Sequence, residues 1–194
     1  MADDTIETAK AALRVKARAV RAAIDHDTRA DAGALAAEWF FSGLTLQPRE
    51  MVAGYWPILD EFDCKPLLIR LMDSGQPVCL PVTDGDLPLV MRLWADGEPL
   101  YPSGFGTLAP IESAPVVEPD IIIVPLLGFD KHGTRLGYGK GHYDRTLAIM
   151  SKKPRLIGMA FAAQEIDFIP AAPHDVPLDA ILTEAGLRHF GSLQ

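Results

Sequence analysis

The sequence predicts an α/β domain, a mostly parallel sheet with helices packed on both of its faces. Two observations carry this. Short apolar runs alternate with helical stretches from about position 51 to position 184. One run, DIIIVP (120–125), is apolar throughout, as a strand covered on both faces must be. The 194 residues are 48 % apolar and 23 % charged, enough for one sizeable core, so a single domain over 1–194 is expected.

The first helix is expected from an Asp4 or Thr5 cap, with Glu7 closing a capping box, to about Ile24. Ile6, Leu13, Ala17, Val20 and Ile24 form its apolar stripe, and Lys10, Arg14, Arg18 and Arg21 a basic stripe beside it. A second helix is expected over 29–41, capped by Asp27. MVAGYW (51–56) reads as a strand, CKPLLIRLM (64–72) as a helix ended by Gly75, and PVCLPV (77–82) and PLVMRLW (88–94) as strands. The Pro-, Gly- and Ser-rich stretch 96–119 has little periodicity and is expected to wrap the surface or one edge. A strand at 120–125, a helix over 143–150, a strand at 155–161 and a final strand at 180–184 complete the pattern.

The bulk numbers exclude some classes. A net charge of −8 argues against a general nucleic-acid binder, though not against a local anion site. No apolar run approaches the roughly eighteen residues of a membrane span. The acidic start MADDTIETAK lacks the pattern of a signal peptide. Cys64 and Cys79 show no metal-ligand spacing, which points to a reducing cytoplasm.

The candidate chemistry centres on GYGKGHYDR (137–145), between a strand and a helix. In open α/β sheets ligands sit beyond the carboxyl ends of strands. Gly137, Gly139 and Gly141 can turn their amides onto an anion, helped by the helix N-terminus and by Lys140. Asp144, in the first helical turn, can hold Mg²⁺ bridging to phosphates. The same loop also reads as a flexible connector, with Asp144 as a cap and His142 exposed. The basic stripe reads as a solvated face or, lacking interspersed acids over 8–24, as an anion contact. In GYWPILDEFD (54–63), Glu61 can accept from a ring N–H, while Asp60 and Asp63 read as loop and cap residues. Asp175 reads as a turn residue after Pro173, or as a second metal ligand.

Taken together, FDKHGTRLGYGKGHYDRTL (129–147) resembles the signature of the 5-formyltetrahydrofolate cyclo-ligase (methenyltetrahydrofolate synthetase) family. Lys10 and Arg14, YWPILDE, DIIIVP and AAQEIDFIPAAPHDVPLDAILTE match further family segments in the same order. Two departures stand out. FGTLAPIESAP (105–115) has no Glu before Pro110, and Lys140 and His142 replace a Gly and a Tyr common in bacterial members. The resemblance implies a three-layer α/β/α sandwich similar to the sugar-phosphate isomerase and CoA-transferase group. It implies ATP-dependent ring closure of 5-formyltetrahydrofolate, with or without a polyglutamate tail, by a monomer using Mg²⁺. By the same carry-over, Lys10, Arg14, Arg135, Gly137, Tyr138, Gly139, Lys140, Gly141, His142 and Tyr143 would contact ATP. Lys140 and Arg145 would be its catalytic cations. Asp144 and Asp175 would hold the metal, and Tyr55, Trp56, Glu61 and Tyr143 would meet the folate. Arg18 and Arg21 are expected to attract the polyanion at long range. A sugar-phosphate isomerase of the same architecture, or a non-catalytic folate- or nucleotide-binding module, is the alternative.

Overall fold

A computed structural model of the chain describes residues 2–191. Its elements are, in order, α1 (Ala2–Ala22), α2 (His26–Gly43), β1 (Val52–Ala53), α3 (Lys65–Asp73), β2 (Val78–Val82), β3 (Val90–Trp94), β4 (Tyr101–Pro102), β5 (Leu108–Ala109) and β6 (Ile121–Pro125). Then come β7 (Gly128–Phe129), β8 (Arg135–Leu136), α4 (His142–Ile149), β9 (Arg155–Met159), β10 (Ala180–Thr183) and β11 (Gly186–His189). Single 3₁₀ turns lie at Gly104–Gly106 and Ala162–Gln164.

The main sheet has the order β11-β10-β9-β6-β1-β2-β3. The five inner strands are parallel, and both edge strands, β3 and β11, are antiparallel to their neighbours. Chain order runs outward from the β1–β6 junction in both directions. That reversal opens a crevice beyond the carboxyl ends of β1 and β6, where this class of sheet takes its ligands.

Side chains alternate across the sheet, so β6 supplies both cores. Ile121 and Ile123 join Phe40 of α2 and Leu67, Leu68 and Leu71 of α3 on one face. Ile122 and Val124 join Leu126, Phe129 and Leu156 on the other, with Tyr143 and Leu147 of α4 packed against them. Each of these fully buried side chains is worth about 1.5–3 kcal/mol of burial. The α/β/α sandwich is present, with a thinner second outer layer of one short helix and loops. The first helix covers neither face. Leu13 and Ala17 of α1 pack on Leu127, Leu136 and Ile169, across the carboxyl end of the sheet.

Several boundaries differ from the sequence reading. The first helix already runs from Ala2, so Asp4 and Thr5 lie within it, and it ends at Ala22. The cap of α2 is Asp25, which accepts from the Thr28 amide at 2.8 Å, while Asp27 sits inside the first turn. β1 stops at Ala53; the Gly54 amide still donates to the Cys79 carbonyl at 3.0 Å, and Gly54 packs so closely on α3 that an added Cβ would lie 2.4 Å from Leu68. β9 stops at Met159. The antiparallel strand β11 was not expected at all. The 96–119 stretch carries the β4–β5 ribbon and a 3₁₀ turn rather than a plain wrap.

Candidate active site

The segment leaving β6 is locked before it reaches the glycine loop. Gln164 donates to the carbonyls of Leu126 (3.1 Å) and Leu127 (2.9 Å). Asp130 is buried and accepts from the amides of His132, Thr134 and Ile169. These bonds hold the β7–β8 hairpin, whose outgoing strand delivers residues 137–141. Gly139 (φ +92°) and Gly141 (φ +65°) occupy backbone space that side chains disfavour. Gly141 is the N-cap of α4 and has no side chain to close it, so the first amides of α4 remain open to an incoming acceptor. Gly137 needs neither licence. Its φ is ordinary, and a Cβ there would meet nothing within 4 Å.

A cleft of about 780 Å³ opens above this loop, and every candidate residue named from the sequence lines it. The basic stripe of α1 forms one wall, but it is not free of counter-ions. Lys10 is almost wholly buried and donates to Asp175 Oδ2 at 2.5 Å, with Glu7 at 3.9 Å. Arg14 donates from Nε to the Gly137 carbonyl (3.1 Å) and pairs with Glu7 at 3.3 Å. Its guanidinium lies 3.1 Å from where a Gly139 Cβ would stand. Arg21 is buried, bound to Asp60 and Tyr138, and so acts at contact range rather than at a distance. Arg18 alone of the stripe has no carboxylate within 4.0 Å among the described residues; it stands 5.6 Å from the Tyr138 ring centre.

Asp144 and Asp175 are each anchored by one oxygen. Asp144 Oδ1 takes the Arg135 guanidinium and the Val176 amide. Asp175 Oδ2 takes Lys10 and the Ala172 amide. Burial works to raise the Asp175 carboxyl, but Lys10 and the Ala172 amide outweigh it and hold it below the usual carboxylate range. Among the described residues no hydrogen bond falls on Asp144 Oδ2 or Asp175 Oδ1, and no group of three or more His, Cys, Asp or Glu forms a metal cage. Two fixed carboxylates with one open oxygen each are a donor set that would suit Mg²⁺, which takes oxygen ligands and supplies charge neutralisation.

At the other end, Glu61 accepts from Tyr138 Oη (2.5 Å) and from the Ile58 amide (2.9 Å). Burial raises its carboxyl, opposed by those two bonds. Trp56 stands edge-on to Trp94 at 6.0 Å, with Lys65 over its face. Four expectations change here. Tyr138 sends its hydroxyl to Glu61 rather than toward the nucleotide end. Tyr55 presents only its ring, because its buried hydroxyl donates to the Phe62 carbonyl at 2.6 Å. Arg145 spends its Nη1 on the Lys140 carbonyl (2.7 Å) and so braces the loop. His142, an exposed residue in the flexible-connector reading, is half-buried and tied to the Gly85 carbonyl at 3.0 Å. Asp60 is not a plain loop residue either, since it is the partner of Arg21.

The match with known proteins is as specific as this geometry. The model of the 5-formyltetrahydrofolate cyclo-ligase family matches residues 6–184. A 5-formyltetrahydrofolate cyclo-ligase of Mycolicibacterium smegmatis is 35% identical over 153 residues, 74% of this chain and 78% of that protein. The one from Escherichia coli K12 is 33% identical over 146 residues, 68% and 76% of the two chains. The chain belongs to the 5-formyltetrahydrofolate cyclo-ligase family. Solved structures agree. The 5,10-methenyltetrahydrofolate synthetase of Aquifex aeolicus superposes with a TM-score of 0.76 at 29% identity, over 95% of this chain and 94% of that one. The Mycoplasma pneumoniae synthetase gives 0.72 at 26%, over 90% and 98%.

This cyclo-ligase chain has a wall that the sequence reading did not assign. Phe105, Thr107 and Leu108 line the cleft opposite α1, and Phe105 packs on His142 at 5.3 Å with Lys140 5.7 Å from its ring centre. Lys140 lies 3.8 Å from Asp86 in the same quarter. The only sequence signal for this wall is the FG dipeptide 105–106 inside a stretch without periodicity. No described helix is long and apolar enough to cross a membrane.

Proposed function

We propose that this chain converts 5-formyltetrahydrofolate to 5,10-methenyltetrahydrofolate at the expense of ATP, releasing ADP and phosphate. The observation that supports it best is the pairing of two unlike half-sites in one cleft. The glycine loop, Lys10 and Arg14 suit a triphosphate, and the Trp56–Glu61 corner suits a planar ring with N–H donors. A formamide carbonyl is a weak electrophile, and its oxygen is a poor leaving group. Transfer of the γ-phosphoryl group to the formyl oxygen forms the O–P bond and frees ADP. N10 then attacks the activated carbon, the C–O bond breaks, phosphate departs and N10 loses its proton. The attacking nitrogen is already tethered in the substrate, so the second step gains from proximity.

The protein's part is alignment and charge. The amides at 139–142, Lys10, Arg14 and Lys140 hold the phosphates and offset the charge that builds on them. Arg135 and Lys10, through their bonds to Asp144 and Asp175, keep both carboxylates aimed. Those carboxylates would hold Mg²⁺, which when bound supplies charge neutralisation on the triphosphate. Trp56 and Glu61 would seat the pterin, with α1 shielding the cleft from water. A monomer working in the cytoplasm, on folates with or without a polyglutamate tail, completes the proposal. The test is direct. The protein is mixed with 5-formyltetrahydrofolate and Mg-ATP, and the near-ultraviolet band of the methenyl product is followed. The band is expected only with both ATP and Mg²⁺; its absence from the complete mixture, or its appearance without ATP, overturns the reading.

A further inference from the structure

Behind Glu61 lies a buried guanidinium that no step above uses. Arg21, with a side chain 3% exposed, donates from Nη2 to Asp60 Oδ1 and from Nη1 to Tyr138 Oη, both at 2.6 Å. Tyr138 is in turn hydrogen-bonded to Glu61 Oε1, and the second oxygen of Glu61 is held by the Ile58 amide. The direction of this chain follows from valence. A guanidinium has donors only, so the Tyr138 oxygen must accept from Arg21. A phenol has one proton, and that proton is then committed to Glu61. The order is fixed as Asp60, Arg21, Tyr138, Glu61, with no freedom to reverse. The anchor is itself held, because Arg29 donates to the Arg21 carbonyl and, at 3.0 Å, to the Asp60 carbonyl. Arg18 and Arg21 each stand 5.6 Å from the Tyr138 ring centre, and the ring packs against the buried cluster of Ala17, Leu127, Leu136 and Ile169.

We propose that Arg21 and Tyr138 are positioning residues for the folate end of the cleft: they fix Glu61 as an acceptor, and so select rings that present N–H donors over rings that present acceptors. This rests on the reading of Glu61 as a folate contact. A carboxylate oxygen has about two lone pairs, so each Glu61 oxygen keeps one for a ligand after its protein bond is made. A site built this way discriminates strongly, because a ring lacking the donor leaves a buried acceptor unpaired. The groups facing Glu61 are Tyr138, Arg21 and Asp60, with the buried Tyr55 and Cys64 and the partly buried Tyr143 near them. Burial raises the Glu61 carboxyl, and the Tyr138 hydrogen bond opposes it. Removing that hydroxyl therefore moves the carboxyl further up.

The experiment compares Tyr138→Phe, Arg21→Met and Glu61→Gln with the wild type, varying folate and ATP separately from roughly pH 5 to 9. Tyr138→Phe is expected to raise the KM for 5-formyltetrahydrofolate by roughly tenfold, the worth of one hydrogen bond to a charged group. The KM for ATP should stay within about threefold. The acid limb of the folate kcat/KM profile should move to higher pH. Arg21→Met should act in the same direction; should it fail to fold, Tyr138→Phe decides alone. A Tyr138→Phe enzyme with wild-type folate KM and an unmoved acid limb overturns the proposal while Glu61→Gln still loses folate. If Glu61→Gln also keeps wild-type folate KM, the reading of the folate site fails instead.

Discussion

Replacing Lys10 by Met separates the roles of the α1 stripe. The ammonium is 4% exposed and 2.5 Å from Asp175 Oδ2. At an effective dielectric near 20 the gross attraction at that distance is about 6–7 kcal/mol, most of it offset by the desolvation of both ions. What Met leaves behind matters more than what it removes. Stranding one member of a fully buried pair costs about 3–5 kcal/mol. The Asp175 side chain is 17% exposed at the cleft and keeps the Ala172 amide, so about 1–3 kcal/mol is expected here. Asp175→Asn in the same background should recover part of that loss, and a double-mutant cycle in urea measures the coupling. The pH dependence follows. The Asp175 carboxyl is depressed in the fold, so its contribution is present above the ordinary carboxylate range and is lost as pH falls through the folded value. In Lys10→Met that acid limb moves up. In turnover, the KM for ATP should rise by about ten- to a hundredfold, the worth of one charge-assisted phosphate contact, with the folate KM little changed. Wild-type stability together with wild-type ATP KM would refute the reasoning, as would an equal rise in both KM values.

Asp144→Asn should lower kcat by about a hundredfold or more, as expected for losing a group that organises transition-state charge; full activity at limiting Mg²⁺ sinks its metal role. Glu7→Gln should lower the KM for ATP by up to about fivefold, because an exposed acid competing for Lys10 and Arg14 is worth about 0.2–1 kcal/mol. Steady-state kinetics at low and high salt check this, since the gain must shrink with salt. Gly139→Ala should cost about 1–2 kcal/mol in urea unfolding, from its positive φ and its contact with Arg14, whereas Gly137→Ala should cost nearly nothing. Equal costs would contradict the loop geometry.

What was legible in the sequence was local. The apolar run at 120–125, the glycine loop and the 3.6-residue spacing of the α1 cations each lie within one short window, and each sits where its pattern requires. What was not legible is carried by contacts between distant segments. Lys10 meets Asp175 across 165 positions, and Tyr138 meets Glu61 across 77. The stripe therefore looked free of counter-ions over 8–24 because Asp175 and Asp60 come from distant segments and Glu7 stands one residue before that window. Arg21 looked like a surface cation for the same reason, since periodicity reports which side of a helix a residue occupies and not what later packs against it. β11 was missed because GLRH is half-exposed, contains a charge and finds its register only by pairing back on β10. Phe105 carries a positive φ without being glycine, so no residue type announces the turn that brings it to the cleft.

The charge pattern of the cleft also says which contacts yield when a polyanion arrives. Lys10, Arg14, Arg21, Arg135 and Lys140 each face a carboxylate, so the site of this acidic protein is close to balanced before anything binds. A triphosphate must therefore displace acids from cations, and the pairs differ in how easily they part. Asp144 and Asp175 are mostly buried and held by backbone amides as well, so releasing them would strand charge. Glu7 and Asp86 are 56% and 79% exposed, and their carboxylates lose little by turning to water. Phosphate oxygens should thus replace Glu7 on Arg14 and Asp86 on Lys140. The two buried acids stay where they are. On this reasoning the exposed acids keep the empty site from attracting every passing anion, and the buried ones decide which anion, with which metal, can stay.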